Sequence, residues 1–384
     1  MSQMSDQPKK FIISLAEDWG RLPSSSQHIM RVLSREYSIL WVDSLGLRTP
    51  SVSQKDLKRI FQKLKKFFSG IKEKEPNIYV YSPLVLPYFQ NRLARKINQF
   101  ILILSLKFFL SRKEAQERTL WAACPTAESL VGRLKEKKSI YYCADEYSKF
   151  TGYSKNLVKE LEEELLKKVD LVLVVSDKLF QTKKEYNPNI FLIPHGVEFE
   201  HFSRYNLTSV ELPADIKYIK RPVIGYYGLI RDWIDFELLE KIVQKKDWSL
   251  VLIGPTSVDI SKIQVKENMH FLGPKDYKDL PLYLQGFDVC IIPYKLTEVT
   301  INARPLKLFE YLASGKPVVS TPLPSVLPYR DVVRIGSTHE EFIQQIEKSL
   351  QEKDESQKKK RIDLARDNSW EKLVQKNLKP LLLA

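Results

Sequence analysis

Arg304, Lys307 and Glu310 are the residues whose types and spacing point most directly to chemistry. They stand in the stretch Asn302-Ala-Arg-Pro-Leu-Lys-Leu-Phe-Glu-Tyr-Leu-Ala-Ser-Gly-Lys-Pro-Val-Val319. Pro305 suits the first turn of a helix, where its missing N–H has no bond to lose. Gly315, with Pro317 behind it, suits the end of one. The spacing therefore predicts a capped helix over Pro305–Ala313, about three turns long. Lys307 and Glu310 would share one face of it, with Arg304 just before. Two cations beside the positive end of a helix suit a diphosphate. An acid about a turn deeper suits two adjacent ribose hydroxyls. The competing reading is an ordinary exposed i,i+3 pair, which contributes about 0.5 kcal/mol or less. The setting between two apolar strands favours the binding reading.

Acid/base candidates lie in the first half. Asp145 and Glu146 follow the apolar run Ile140–Cys143 and precede Tyr147. For Asp145 a helix N-cap competes evenly with proton transfer. His28 follows Ser24-Ser-Ser-Gln27 and is a third candidate, with a structural role favoured; His195 is weaker. The pair Gly225 and Gly228 would let backbone approach a phosphate or sugar, and Arg231 lies just beyond. The sequence has no Asp-x-Asp motif and no His/Cys cluster of ligand spacing, so neither metal nor cofactor is expected. The diphosphate charge would fall to Arg, Lys and a helix terminus.

The elements that must position these groups alternate between strand and helix. Strands are expected at Phe11–Leu15, Ile39–Val42, Ile78–Tyr81, Leu120–Ala122, Ile140–Cys143, Leu171–Val175 and Phe191–Ile193. Further strands are expected at Val223–Tyr227, Leu250–Ile253, His270–Leu272, Val289–Ile292, Val318–Ser320 and Val332–Ile335. Most are continuous apolar runs, as in parallel strands buried on both faces. Helical periods fall between them at Leu157–Lys168 and Phe236–Val243, giving an α/β, doubly wound architecture. A polar, Pro-containing stretch at Asn206–Pro213 sets a boundary. The expected domains are 1–205, which binds the acceptor, and 206–365, which binds the nucleotide. A C-terminal helix at 366–384, N-capped by Ser369, is expected to return to the first domain.

Length and composition agree: 384 residues, 43% apolar and 28% charged, suffice for two cores. The net charge of +14 fits nucleic acid, an anionic membrane or anionic substrates. No nucleic-acid-binding motif accompanies it, so nucleic acid is not expected. Lys55–Phe68 reads as a basic amphipathic helix suited to an anionic membrane surface, a helix with a solvated basic face being the alternative. Phe100–Leu110, the longest apolar stretch, contains Ser105 and Lys107 and falls short of the ~20 residues of a membrane span. The polar start Met1–Lys10 does not read as a signal peptide. Cys124, Cys143 and Cys290 read as buried free thiols, as in a reducing cytoplasm.

The stretch Pro305–Val319 resembles the nucleotide-sugar motif of GT-B fold glycosyltransferases related to family 4 (group 1), most of all bacterial cell-surface polysaccharide transferases of the teichuronic-acid type. Ile193-Pro-His-Gly-Val197, Gly225-Tyr-Tyr-Gly228, Leu252-Ile-Gly-Pro255, Phe271-Leu-Gly273, Asp288–Pro293 and the passage Glu164–Asp170–Ser176 resemble further family motifs in the same order. The resemblance runs from about residue 140 to the end and more loosely before it. It implies two Rossmann-like domains facing each other across a cleft. It also implies a UDP- or GDP-sugar donor held by Gly228, Arg231, Asn302, Arg304, Lys307 and Glu310, and a lipid-linked or saccharide acceptor. Transfer would retain configuration, at the cytoplasmic side of the plasma membrane. Asn302 stands where the family's Glu-x7-Glu pattern has its first acid. Arg231 matches the family's Arg after the glycine loop, but Asp232-Trp-Ile-Asp235 holds no matching Lys, and Arg304 and Lys307 are expected to supply that charge. A nucleotide-sugar epimerase on the same fold, and a non-catalytic basic binding protein for nucleic acid or anionic polysaccharide, are the alternatives.

Overall fold

Apolar runs too continuous for a half-exposed sheet become two central parallel sheets, one in each of two units. The computed structural model describes residues 9–20, 24–45, 70–85, 91–149, 154–206, 210–258 and 266–383. The expected Lys55–Phe68 helix lies outside them. The first unit comprises Met1–Ile193 with Leu378–Ala384, and the second Pro194–Asn377.

In the first unit the strands are β1 (Lys10–Leu15), β2 (Ser38–Val42), β3 (Lys72–Glu75), β4 (Ile78–Tyr81), β5 (Glu117–Ala122), β6 (Lys138–Cys143), β7 (Leu171–Val174) and β8 (Ile190–Leu192). Their order is β3-β4-β2-β1-β5-β6-β7-β8. β1 is paired in parallel on both sides, Ile13 lying opposite Leu40 and Leu120. That double pairing explains why Phe11–Leu15 is buried throughout and carries no alternation. The charged β3, Lys-Glu-Lys-Glu, was not expected as a strand. It is the antiparallel edge, where Lys and Glu discourage further pairing, and its Glu75 accepts from Arg31 at 2.9 Å.

Helices cover this sheet: α1 (Ser25–Leu33), α2 (Arg92–Arg112), α3 (Lys155–Lys168) and α4 (Asp177–Lys183). Ser24 caps α1 by accepting from the Gln27 N–H at 3.2 Å. The apolar stretch Phe100–Leu110 belongs to α2, which Asn91 caps by accepting from the Leu93 N–H at 2.8 Å. Among the described residues no helix is long and apolar enough to cross a membrane.

The second unit has β9 (Val223–Tyr227), β10 (Ser249–Ile253), β11 (Met269–Gly273), β12 (Val289–Ile292), β13 (Val318–Ser320) and β14 (Arg334–Ile335), all parallel. Their order is β11-β10-β9-β12-β13-β14, so the winding reverses between β9 and β12. Such a reversal opens a crevice outside the carboxyl ends of the two strands. The helices used below are α5 (Phe199–Ser203) and α6 (Lys307–Ala313).

The units divide earlier than the polar Asn206–Pro213 stretch suggests, because Val197, Phe199 and Phe202 belong to the second core. The C-terminal tail is likewise split. Ser369 caps a short helix as expected, accepting from the Lys372 N–H at 3.4 Å. That helix stays with the second unit, where the Val197 N–H donates to the Asn368 carbonyl and the Trp370 N–H to the Val197 carbonyl, both at 3.1 Å. Only Leu378–Ala384 falls with the first unit, where Lys138 donates to the Leu381 carbonyl at 2.8 Å.

Candidate active site

The carboxyl ends of β9 and β12 and the start of α6 supply one constellation in the second unit. α6 is shorter than expected. It begins at Lys307 rather than Pro305 and ends at Ala313, about two turns. Pro305 and Leu306 form a tight entry in which the Leu308 N–H donates to the Pro305 carbonyl at 3.2 Å. Gly315, with φ +73°, ends the segment.

Glu310 is 9% exposed, and its Oε2 accepts from the Tyr227 hydroxyl at 2.5 Å. Burial pushes its carboxyl up to about 7, although Tyr227 and then Lys307 pull the other way. Lys307 does not bridge to Glu310. Its Nζ donates to the Tyr294 hydroxyl at 2.6 Å and lies 5.2 Å and 5.1 Å from the ring centres of Tyr226 and Tyr294. The simple surface ion pair is therefore replaced by a buried acid and a cation seated on two aromatic faces. The Tyr311 hydroxyl accepts from the Tyr227 N–H at 3.0 Å and closes the arrangement from beneath.

Gly228, with φ +135°, follows β9 in a backbone region that side chains avoid. A methyl group there would stand 2.9 Å from Lys307 Cε. Its N–H donates to the Ile253 carbonyl at 2.8 Å, and the Gly254 N–H to the Gly273 carbonyl at 2.9 Å, so the ends of β9, β10 and β11 are stitched together. Gly225, by contrast, lies within β9. A methyl there would come within 2.1 Å of the Phe287 ring, so this glycine serves core packing rather than approach to a ligand.

Arg304 lies just before α6, half-buried. Its Nη2 donates to the Tyr329 hydroxyl, and its guanidinium lies 5.5 Å from the Phe309 and Tyr329 ring centres. Its carbonyl accepts from His195 Nδ1 at 2.8 Å, which puts the proton of that imidazole on Nδ1. Asn302 is buried, and its amide donates to the Glu298 carbonyl. Arg231 packs on the Trp233 ring at 5.2 Å and lies 3.3 Å from Asp232. Thus Gly228 lies against Lys307, which Tyr226 and Tyr294 seat, while Tyr227 holds Glu310 on the next turn, with Arg304 on the same segment and Arg231 on the loop after β9. Reading the sequence missed the four tyrosines that join them.

In the first unit Asp145 follows β6. Burial pushes its carboxyl up to about 7, and the charge of Glu17 adds to this. It does not cap the next long helix, which begins at Lys155. Glu146 is committed elsewhere. Its carboxylate lies 3.0 Å from Lys183 Nζ and accepts from the Ser148 hydroxyl at 2.7 Å. Lys183, on α4, also meets the buried Glu162 of α3 at 2.8 Å. Burial opposes its charge, but Glu162, Cys143 and Glu146 outweigh that and raise its pKa. Glu162 in turn accepts from the Tyr141 hydroxyl at 2.7 Å. This is a buried ionic cluster that ties β6 to two helices. His28 is buried within α1, 3% exposed. The three cysteines are buried and free, and the described residues contain no His/Cys/Asp/Glu group able to hold a metal ion.

Comparison with known proteins bears on both units. Residues 221–352 match the family described as glycosyl transferases group 1. The chain is 30% identical over 284 residues to a putative teichuronic acid biosynthesis glycosyltransferase, TuaH, of Bacillus subtilis (strain 168), covering 68% of this chain and 70% of that one. Among solved structures it is similar to Anabaena Alr3699/HepE in complex with UDP-glucose, with a TM-score of 0.67 at 13% identity over 97% of this chain and 100% of that one. An α,α-trehalose-phosphate synthase (UDP-forming) from Burkholderia vietnamiensis gives a TM-score of 0.67 at 11% identity over 99% and 100% of the two chains. The structural likenesses show the fold, and the sequence relative carries the family: this chain belongs to the group 1 glycosyltransferases and is a glycosyltransferase of the GT-B fold.

Proposed function

We propose that this enzyme transfers a sugar, with retention, from a UDP- or GDP-sugar to a lipid-linked or saccharide acceptor during cell-surface polysaccharide synthesis at the cytoplasmic face of the membrane. The buried Glu310 carries the donor half of the reading. Tyr227 holds Oε2, which leaves Oε1 to accept from ribose hydroxyls where water is largely excluded. Lys307 and Arg304 meet the diphosphate, with Arg231 adding charge from the loop after β9. Gly228 keeps that approach open, because any side chain there would displace Lys307. Asn302 offers an uncharged hydrogen-bonding group where relatives place an acid. These cations, rather than a metal or cofactor, take up the negative charge that develops on the leaving diphosphate. UDP-glucose in Alr3699/HepE supports a nucleotide-sugar donor, and the teichuronic acid relative supports a polysaccharide product.

Asp145 is the proton acceptor of choice in the first unit, since Glu146 is neutralised by Lys183 and a carboxyl titrating near 7 suits acid/base work. His28, buried within α1, keeps the structural role favoured for it. In the reaction the bond from the anomeric carbon to the diphosphate oxygen breaks and the acceptor oxygen bonds to that carbon on the same face of the ring, the acceptor's proton passing to the Asp145 carboxylate and the nucleoside diphosphate leaving.

A screen of nucleotide sugars for thermal stabilisation tests the reading. Stabilisation by one UDP- or GDP-sugar, and by its nucleoside diphosphate, is expected. No stabilisation by any nucleotide sugar would overturn it, and isomerised donor in the absence of acceptor would favour an epimerase.

A further inference from the structure

α2 is apolar on two opposite faces. Its inner row, Ala94, Asn98, Leu102, Leu106 and Leu110, is buried at every fourth residue. Phe109 packs on Tyr79 of β4, with ring centres 5.6 Å apart, and on Phe11 of β1 at 6.4 Å. Gln99 donates to the Ser129 carbonyl at 2.8 Å. The helix is thus firmly seated, and its outer face is not needed for the core.

That outer face carries Leu93, Ile97, Phe100, Ile101, Leu104 and Phe108, with Leu93, Phe100 and Phe108 each about two-thirds exposed. They are six of the thirteen exposed large hydrophobic residues among those described. At ~100° of turn per residue they fall within an arc of roughly 100°, a single stripe along a helix about 30 Å long. Scattered exposed apolar residues need no explanation, but a contiguous stripe marks an interaction surface.

Charge identifies the occupant. α2 carries Arg92, Arg95, Lys96, Lys107 and Arg112, and neither Asp nor Glu. By helical spacing Lys96 and Lys107 border one edge of the stripe and Arg112 the other. A second copy of the chain laid face to face would bring two such all-cationic helices together with no acid to offset them. Passage through a bilayer is excluded for a helix whose inner row is packed on its own unit. A surface that is apolar just beneath a layer of negative charge fits both features.

We propose that the outer face of α2 lies flat on an anionic lipid surface. Its apolar side chains enter the boundary between headgroups and acyl chains, and its cations meet the lipid charges. The Lys stems lie along the apolar stripe while their ammonium groups reach the headgroups. This docking surface is built from α2 alone and stands independently of the proposed donor and acceptor.

Co-sedimentation of the full chain with vesicles tests it, using phosphatidylcholine alone or mixed with phosphatidylglycerol. Binding to the mixed vesicles only, weakened by added salt, is expected. Phe100→Ser with Phe108→Ser should lower that binding at least tenfold. Lys96→Gln with Lys107→Gln should lower it by about fivefold per lysine. All four side chains are exposed, so unchanged melting curves should show the fold intact. A wild-type chain that ignores mixed vesicles would overturn the proposal, as would a serine variant that binds as tightly as wild type. A dimer dispersed by the serine variant, without vesicle binding, would assign the face to a second copy instead.

Discussion

Replacing Glu310 with glutamine separates the cost of burying this carboxylate from its proposed hold on the donor, which act in opposite directions. Burial has lifted this group from an ordinary 4.5 to about 7. A carboxyl whose folded pKa lies above its unfolded value costs nothing below the unfolded pKa. It destabilises progressively as pH rises through the folded one. At about 1.4 kcal/mol per pKa unit, the shift amounts to something on the order of 3 kcal/mol above pH 7. Glutamine keeps an oxygen for the Tyr227 hydroxyl and removes the ionisation. Glu310→Gln should therefore match wild type in thermal or urea unfolding near pH 4.5 and become progressively more stable than wild type up to about pH 7.5. UDP or GDP affinity should move the other way, because a charge-assisted hydrogen bond contributes about 1.5–3 kcal/mol. Calorimetry at pH 8 should show nucleotide binding weakened roughly 10- to 100-fold. Wild-type affinity should also fall as pH drops below 7 in a way the variant does not share, since titration of the nucleotide's own phosphate is common to both. Parallel pH–stability curves for the two proteins would refute the buried, high-pKa carboxyl. A stabilised variant with unchanged nucleotide affinity would leave the burial argument standing and remove Glu310 from the donor site.

Further outcomes follow from other residues. If Asp145 is the proposed base, which must be ionised to act, kcat/KM should rise with pH through about 7. Asp145→Asn should flatten that limb and lower the rate by about 10²- to 10⁴-fold with nucleotide affinity retained, as measured in a pH–rate profile beside calorimetry. Gly228→Ala forces a side chain into φ +135° and against Lys307. It should cost about 1–3 kcal/mol in unfolding and weaken diphosphate binding more than nucleoside binding. Equal loss for both ligands would count against a phosphate role for Lys307.

Strands buried on both faces leave runs of apolar residues that no local alternative explains, so β9 and β12 were legible as written in the sequence and β1 and β6 nearly so. The helix after Arg304 was legible too, because Pro305 and Gly315 act on the backbone of their own neighbours. These signals are local, and local physics determines them. β3 escaped notice because an edge strand needs charge, not apolar content. The boundary at Ile193 escaped because α5 and Val197 choose their core by packing, which no composition shift records. Tyr226, Tyr227, Tyr294 and Tyr311 read as ordinary core aromatics until strand order brings the ends of β9 and β12 side by side. Only then do they seat Lys307 and enclose Glu310. The same holds for Asp145 and Glu146, adjacent in the chain and alike in type. Lys183, brought in on a separate helix, neutralises one of them, while burial lifts the pKa of the other. The sequence by itself determined the fold class and the capped segment of the proposed donor motif, because both rest on short-range spacing. The protonation and pairing of each acid were decided by tertiary structure, because they depend on groups remote along the chain and on how much water the packing leaves.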